Sequence, residues 1–114
     1  MLEKKIENLV WHYAESKGVM QRKFVSPAHI GVPDRLFIYR GITFFIEFKQ
    51  SGKTMTPAQL RESLAIRKAG AAVFTVDDVT EGKMLIDLLV RRIDSFFDEM
   101  GLEAFPLAPV EVEA

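Results

Sequence analysis

The chain has 114 residues, of which 48% are apolar and 27% charged, with a formal net charge of −1, so it fits one small globular domain. It contains no cysteine, which excludes disulfide frameworks, zinc–thiolate sites and cysteine nucleophiles. No apolar stretch approaches the ~20 residues of a membrane span, and charged residues at positions 3–5 stand where a signal peptide would need an apolar run. We therefore expect a cytoplasmic protein with no membrane segment.

The first half of the chain predicts one helix followed by three strands. Apolar residues recur at helical spacing until Gly18, which is a natural helix stop. Two later apolar runs flank Arg40-Gly41, a pair typical of a tight turn, and therefore predict an antiparallel hairpin. The predicted elements of this half are helix 2–17, strand 20–25, strand 36–39 and strand 42–48.

The second half predicts two helices around one strand. Thr56-Pro57 combines a helix N-cap with proline at the first helical position. We expect this helix to bury Leu60, Leu64 and Ile66, which are its larger apolar residues. Asp78 or Thr80 can cap the last helix. The predicted elements are helix 57–68, strand 71–76 and a last helix that runs to about residue 100.

This order predicts an α/β fold with a mixed four-stranded sheet flanked by helices. The helix at 57–68 is a crossover that lets the fourth strand pair parallel to the third. We assign residues 1–102 to this domain. Residues 103–114, which contain two prolines and an acidic end, form a separate tail.

Charge is distributed unevenly along the chain. Residues 20–70 carry nine Lys/Arg and three Asp/Glu, whereas residues 71–114 carry three Lys/Arg and ten Asp/Glu. Fluctuation in a small domain would explain this, but a basic face that binds phosphates explains it as well. The basic block also contains the main candidate site, which favours the phosphate-binding interpretation.

That candidate site consists of Asp34, Glu47 and Lys49. Hairpin pairing about Arg40-Gly41 places Asp34 beside Glu47, and Glu47 and Lys49 point to the same side of their strand. Two carboxylates at one sheet end repel each other unless a cation lies between them. Hard oxygen ligands select Mg²⁺ or Mn²⁺, and Lys49 would then stabilise the charge of a reacting phosphate. A buried salt bridge between Glu47 and Lys49 or Asp34 is the structural alternative.

Three segments resemble the VRR-Nuc domain of the PD-(D/E)XK nuclease superfamily. They are Gly31-Val32-Pro33-Asp34-Arg35, Phe45-Ile46-Glu47-Phe48-Lys49 and Thr56-Pro57-Ala58-Gln59. The resemblance covers roughly residues 3–80. It implies a restriction-endonuclease-like core and metal-dependent cleavage of DNA by an endonuclease.

The resemblance also implies roles for individual residues. Asp34 and Glu47 would bind the metal, together with the backbone carbonyl of Phe48, and Lys49 would be the catalytic lysine. The family's first helix supplies a further glutamate, for which Glu3 and Glu7 are both candidates. We favour Glu7 because it borders the apolar stripe of the helix. Gln59 matches the family's glutamine, which supports the site or contacts DNA, although a surface glutamine would look the same.

Four further residues are candidates for binding DNA. Lys23 and Arg35 flank the Pro-Asp element, and His29 lies in the loop before Asp34. Lys53 follows the strand that leads to Lys49. Each can contact phosphate. Lys23 and Arg35 are equally compatible with simple solvation, and a lone histidine in a loop such as His29 more often has no specific role.

Partners follow from the same resemblance. Standalone members of the family resemble small homodimers that act on branched DNA, so a phage or bacterial Holliday junction resolvase is the leading hypothesis. The last helix and tail are the expected dimer surface. The alternatives are a flap or 5′-end repair nuclease, or a nucleic-acid-binding module that has the fold without catalysis.

Overall fold

The computed structural model describes residues 1–102 and contains the predicted order of three helices and four strands. The acidic tail predicted at 103–114 lies outside the described residues. Within residues 1–102, no helix is long and apolar enough to span a bilayer. The elements are α1 (Glu3–Ser16), β1 (Met20–Lys23), β2 (Arg35–Tyr39), β3 (Ile42–Phe48), α2 (Pro57–Lys68), β4 (Ala72–Val76) and α3 (Val79–Met100).

The four strands form one mixed sheet in the order β1-β2-β3-β4. The first three strands are antiparallel neighbours, and β4 returns parallel to β3 after the crossover through α2. This confirms the predicted α/β fold of a mixed sheet flanked by helices. It also brings the ends of β2 and β3 that carry the candidate residues to one edge of the sheet.

A two-residue turn sets the register of the β2–β3 hairpin. Arg40 and Gly41 both have positive φ, of 49° and 87°, as a turn between twisted antiparallel strands requires. Arg35 pairs with Ile46 in this register. Its continuation by one residue places Asp34 opposite Glu47, as the sequence predicts.

The core lies on one side of the sheet, under α1 and α3. Phe44, Ile46 and Phe48 share one face of β3 and are buried there. They belong to one apolar cluster with residues of both helices, including Ile6 and Ile86. Thr43, Phe45 and Glu47 alternate with them and point to the opposite face.

The packing of α2 differs from the prediction. Leu60 and Leu64 are 49% and 52% exposed, and the buried residue of the helix is Ser63. The reason is that α2 packs against β4, a single edge strand, so its contact face is narrow and centred on Ser63. Leu60 and Leu64 lie about 60° and about 100° around the helix from that centre.

Candidate metal centre

Three carboxylates converge at the end of the β2–β3 hairpin. Glu3, Asp34 and Glu47 each offer an oxygen, and these oxygens lie within 4.8 Å of one another. Glu3 comes from the exposed first turn of α1, Asp34 from the residue before β2, and Glu47 from the buried end of β3. Three separate elements therefore build one acidic cluster.

Asp34 is held in place by the backbone on both sides. Its Oδ2 accepts a hydrogen bond of 2.8 Å from the backbone N–H of Phe48. Its own carbonyl accepts a bond of 2.8 Å from the N–H of Phe24. The side chain therefore replaces a missing partner of the sheet ladder at the strand end, and this bond fixes a carboxylate that belongs to the cluster.

Glu47 is 1% exposed and unusually difficult to ionise. Burial, the hydrogen bond and negative charge of Asp34, and the charge of Glu3 raise the pKa of Glu47 to about 9, against the opposing effect of Lys49. Within residues 1–102, its Oε2 is the one buried side-chain oxygen or nitrogen that lacks a hydrogen-bond partner. Such an atom is costly to bury unless something binds it.

The cluster fits a divalent cation on these grounds. All three side-chain donors are carboxylate oxygens, the type that Mg²⁺ and Mn²⁺ prefer. A cation would satisfy Oε2 of Glu47 and remove the repulsion between the three acids. The carbonyl of Phe48 lies at the same strand end and stays a predicted ligand.

Lys49 follows Glu47 by two residues and is buried at the same strand end. Its backbone N–H donates a 2.9 Å bond to the carbonyl of Val76, which extends the β3–β4 pairing by one residue. Among residues 1–102, its ammonium has no carboxylate within salt-bridge distance. The predicted alternative of a Glu47–Lys49 salt bridge is therefore not formed, and the cation can bind an added anion.

Glu7, the favoured helix glutamate of the sequence analysis, does not join the cluster. Its Oε2 accepts bonds from Arg35 Nε at 2.6 Å and Lys23 Nζ at 3.1 Å. Arg35 follows Asp34 directly in extended chain, so the two side chains point to opposite faces of the sheet. Glu7 therefore lies beneath the face opposite to the cluster, and the geometry favours Glu3 as the helix ligand.

The same network of ion pairs includes Arg35, which the sequence predicts to bind DNA. Its side chain is 11% exposed and bonded to Glu7 and, through Nη1 at 2.6 Å, to Gln21. It also lies over the ring of Trp11. Two of its three nitrogens are thus engaged within the protein, and a contact of Arg35 with DNA stays a prediction. Lys23 keeps 48% of its side chain exposed and can still contact a DNA phosphate.

Gln59 lies in the first turn of α2 and forms a capping box with Thr56. Its Oε1 accepts a 2.9 Å bond from the Thr56 N–H, and its own N–H donates to the Thr56 hydroxyl. The side-chain oxygen is thus occupied by the helix end. The role of Gln59 toward the site stays a prediction, with its amide nitrogen as the free donor.

The loop before Asp34 is pressed against the start of α2. Gly31 has φ of +84°, and a Cβ at this position would lie 2.5 Å from the Ala58 carbonyl oxygen. No other residue fits there, which explains the glycine of the Gly-Val-Pro-Asp segment. Beside this contact, exposed His29 and Arg61 line a cavity of about 260 Å³.

Arg61 was not singled out from the sequence. Its position could have indicated a role, because Arg61 lies one helical turn after Pro57 and close to Gln59, at the end of α2 nearest the loop before Asp34. Lys53 is exposed in the loop that follows Lys49, as expected of a residue that meets solvent or DNA.

Comparisons with known proteins agree with this architecture. No family model matches the chain. Over 61 residues it is 43% identical to the protein described as "Putative nuclease p44" of Acyrthosiphon pisum secondary endosymbiont phage 1, a match that spans 53% of this chain and 66% of that protein. A solved structure described as a "VRR_NUC domain" superposes with a TM-score of 0.69 at 33% identity, over 75% of this chain and 94% of that one. Both matches support a nuclease, and the chain belongs to the VRR-Nuc family.

Proposed function

We propose that this protein is an endonuclease that hydrolyses DNA phosphodiester bonds with Mg²⁺ or Mn²⁺ at the Glu3–Asp34–Glu47 cluster. The observation that carries the proposal is the convergence of these three carboxylates beside Lys49, whose ammonium forms no salt bridge with any residue of the 1–102 segment. Membership of the VRR-Nuc family and the phage relative support the nuclease chemistry. The relative is phage-encoded, which is consistent with action inside a cell.

Glu3, Asp34 and Glu47 would hold the ion. When bound, such an ion polarises the scissile phosphate and makes water easier to deprotonate. The protein must first release the proton that Glu47 retains at neutral pH, because a protonated carboxyl is a poor ligand. Asp34 presents a fixed carboxylate because the N–H of Phe48 holds one of its oxygens.

Lys49 would act on the phosphate. The side chain is largely buried, and its ammonium can donate hydrogen bonds to a non-bridging oxygen, whose negative charge grows in the transition state. Burial makes this interaction stronger than it would be in water. The amide nitrogen of Gln59 can position the same phosphate or the attacking water.

DNA would bind mainly through its backbone. Lys53 is exposed in the loop after Lys49, His29 in the loop before Asp34 and Arg61 on α2. Lys23 pairs with Arg35 at the β1 edge of the sheet and lies on the face opposite to the cluster. These side chains can contact phosphates but are too few and too dispersed to read a base sequence. We therefore propose recognition of DNA shape, with branched DNA as the preferred substrate class.

We further propose that the protein acts as a homodimer through α3. Met84, Leu88 and Phe96 are exposed along the outer side of this helix. A groove of about 570 Å³ is lined by Leu88 and Phe96 and by Arg91, Ser95 and Glu99. An isolated apolar stripe of this kind is more stable when covered.

Charge on α3 suits a second copy of the same helix. Arg91 and Glu99 each lie four residues from Ser95, on opposite sides of it. An antiparallel pairing centred on Ser95 would bring Arg91 next to Glu99 of the partner subunit, twice by symmetry. Small Ser95 at the crossing would allow close approach. Such a dimer would place two cleavage sites in twofold relation, which matches the twofold symmetry of a four-way junction.

Cleavage of a labelled four-way junction, beside a linear duplex of the same sequence and with Mn²⁺, tests the proposal. We expect paired nicks in the junction, little cutting of the duplex, and no cutting by Lys49→Ala. Cutting of flaps or single strands but not junctions would keep the nuclease and overturn the junction preference. If no substrate is cut in a metal-dependent way, the protein is a binding module with the same fold.

A further inference from the structure

The ion pair between Glu7 and Arg35 joins α1, which carries the proposed metal ligand Glu3, to β2, which begins directly after the proposed ligand Asp34. Glu7 lies one helical turn after Glu3 on α1, and its partner Arg35 lies directly after Asp34. The side chains of Glu7 and Arg35 are both largely buried, so the bond between them is shielded from water, whereas Lys23 is 48% exposed. The contact therefore links α1 and β2 at the two points closest to their cluster residues.

This contact is part of a larger polar network. Arg35 also donates to Oε1 of Gln21, and Nε2 of Gln21 donates to Glu15 of α1 at 3.1 Å. The guanidinium lies 5.0 Å from the centre of the Trp11 ring. Three successive turns of α1 thus contact the side chains of Arg35 and Gln21, which fixes both the rotation and the axial position of the helix on the sheet.

The start of α1 has no side-chain cap, and Met1 ties it to the loop after β3 only through two long hydrogen bonds with Ser51, of 3.3 and 3.4 Å. Its N-cap residue is Leu2, which provides no side-chain hydrogen bond to the first turn. A first turn without a cap frays readily. Glu3 lies in that turn and is exposed, so the nearest buried polar attachment in the helix is the one made by Glu7.

We propose that Glu7 and Arg35 are positioning residues, which hold the first turn of α1 so that Glu3 reaches the Asp34–Glu47 pair. This inference rests on the proposed metal site. Neither residue touches the ion or the substrate in this scheme. Their effect on metal binding passes entirely through the carboxylate of Glu3.

Mn²⁺ affinity of the folded protein, measured by calorimetry, tests the inference. Loss of a residue that orients a metal ligand typically weakens metal binding about tenfold or more. We expect that loss for Glu7→Gln, and a smaller loss for Glu7→Asp, which retains the charge and retracts it by one methylene. In a Glu3→Gln background, Glu7→Gln should cause no further loss, because the ligand it positions is already absent.

Asp87→Asn is the matched control. Asp87 accepts bonds of 2.7 and 2.8 Å from the Tyr13 hydroxyl and so also ties α1 to a neighbour, in this case α3. The Asp87→Asn substitution should lower the melting temperature without changing the Mn²⁺ affinity. Wild-type affinity in folded Glu7→Gln and Glu7→Asp, or a full further loss in the Glu3→Gln background, would overturn the inference while leaving the metal site intact. Absence of Mn²⁺ binding by the wild type would instead overturn the site and the positioning role together.

Discussion

Oδ2 of Asp34 accepts a hydrogen bond from the backbone N–H of Phe48, the residue between Glu47 and Lys49. A single carboxylate thus completes the hydrogen bonding of the sheet and also faces the acidic cluster. The two roles can be separated, because only the second one needs a negative charge.

Asp34→Asn separates them. The Asn carbonyl can still accept from Phe48, so we expect a metal-free stability close to that of the wild type. Binding of Mn²⁺ should stabilise the wild type by about 2.7 kcal/mol at a hundredfold excess over Kd and the variant by much less. Thermal unfolding with and without Mn²⁺ measures this. Equal metal stabilisation of both proteins would exclude Asp34 as a ligand.

Glu47 predicts an unusual dependence of stability on pH. Its pKa is raised from an ordinary 4.5 to about 9, so between these values the folded protein retains a proton that the unfolded chain has lost. The free energy of unfolding of the metal-free protein should therefore fall as pH rises through this window. Glu47→Gln, which mimics the protonated acid, should lack this part of the decline. Denaturant unfolding of both proteins in EDTA across this range measures the difference, and parallel curves would contradict the raised pKa.

Lys49→Met should separate chemistry from metal binding. We expect cleavage to slow by about 100-fold or more, because a charged hydrogen-bond donor to the reacting phosphate is lost. Mn²⁺ affinity should be retained, since the ammonium forms no salt bridge to the cluster carboxylates. Single-turnover cleavage and calorimetry give the two values. Lys53→Met, an exposed neighbour, should weaken DNA binding and its salt dependence with little change in the saturated rate.

Gly31→Ala should destabilise the protein strongly. The new Cβ would lie 2.5 Å from the Ala58 carbonyl oxygen, on a residue with φ of +84°. Strain and displacement of α2 together should cost about 3 kcal/mol or more. Gly52→Ala is the matched control, because φ is +82° but nothing lies within 4 Å of its Cβ, so about 1 kcal/mol is expected. Similar losses in both variants, measured by denaturant unfolding, would show that the contact with Ala58 is unimportant.

The proposed α3 interface predicts a charge reversal that can be rescued. Arg91→Glu should place like charges opposite each other and convert the dimer to monomer, and the double variant Arg91→Glu/Glu99→Arg should restore it. Sedimentation velocity measures the mass. Lys68→Glu, at the exposed end of α2, should have no effect. A wild type that is monomeric at all concentrations would reject the interface.

The sequence was sufficient to place Asp34 beside Glu47, because a two-residue turn leaves the hairpin one register. The order of the helices and strands could also be predicted. Thr56-Pro57 marks a helix start, and a crossover through that helix leaves β4 few possible places in the sheet. The sequence favours Glu7 over Glu3, whereas the structure brings Glu3 to the cluster; residues four apart share a helix face, so the apolar stripe does not separate them. The difference arises from the sheet, where Arg35 of β2 captures Glu7 on the far side.

The sequence pattern also predicted wrongly that Leu60 and Leu64 are buried. Helical spacing of apolar residues indicates a packed face only where a broad surface receives the helix. Here the receiving surface is one edge strand, and a serine fits it better than a leucine.

The absence of space at Gly31 has a mechanical consequence. The loop and the first turn of α2 touch backbone to backbone, so neither can shift without displacing the other. Asp34 comes three residues later on the same loop. If DNA contacts Arg61 as proposed, a displacement of α2 would therefore reach a carboxylate of the proposed metal cluster. The shape of the bound DNA would in this way set how well the three acids are aligned.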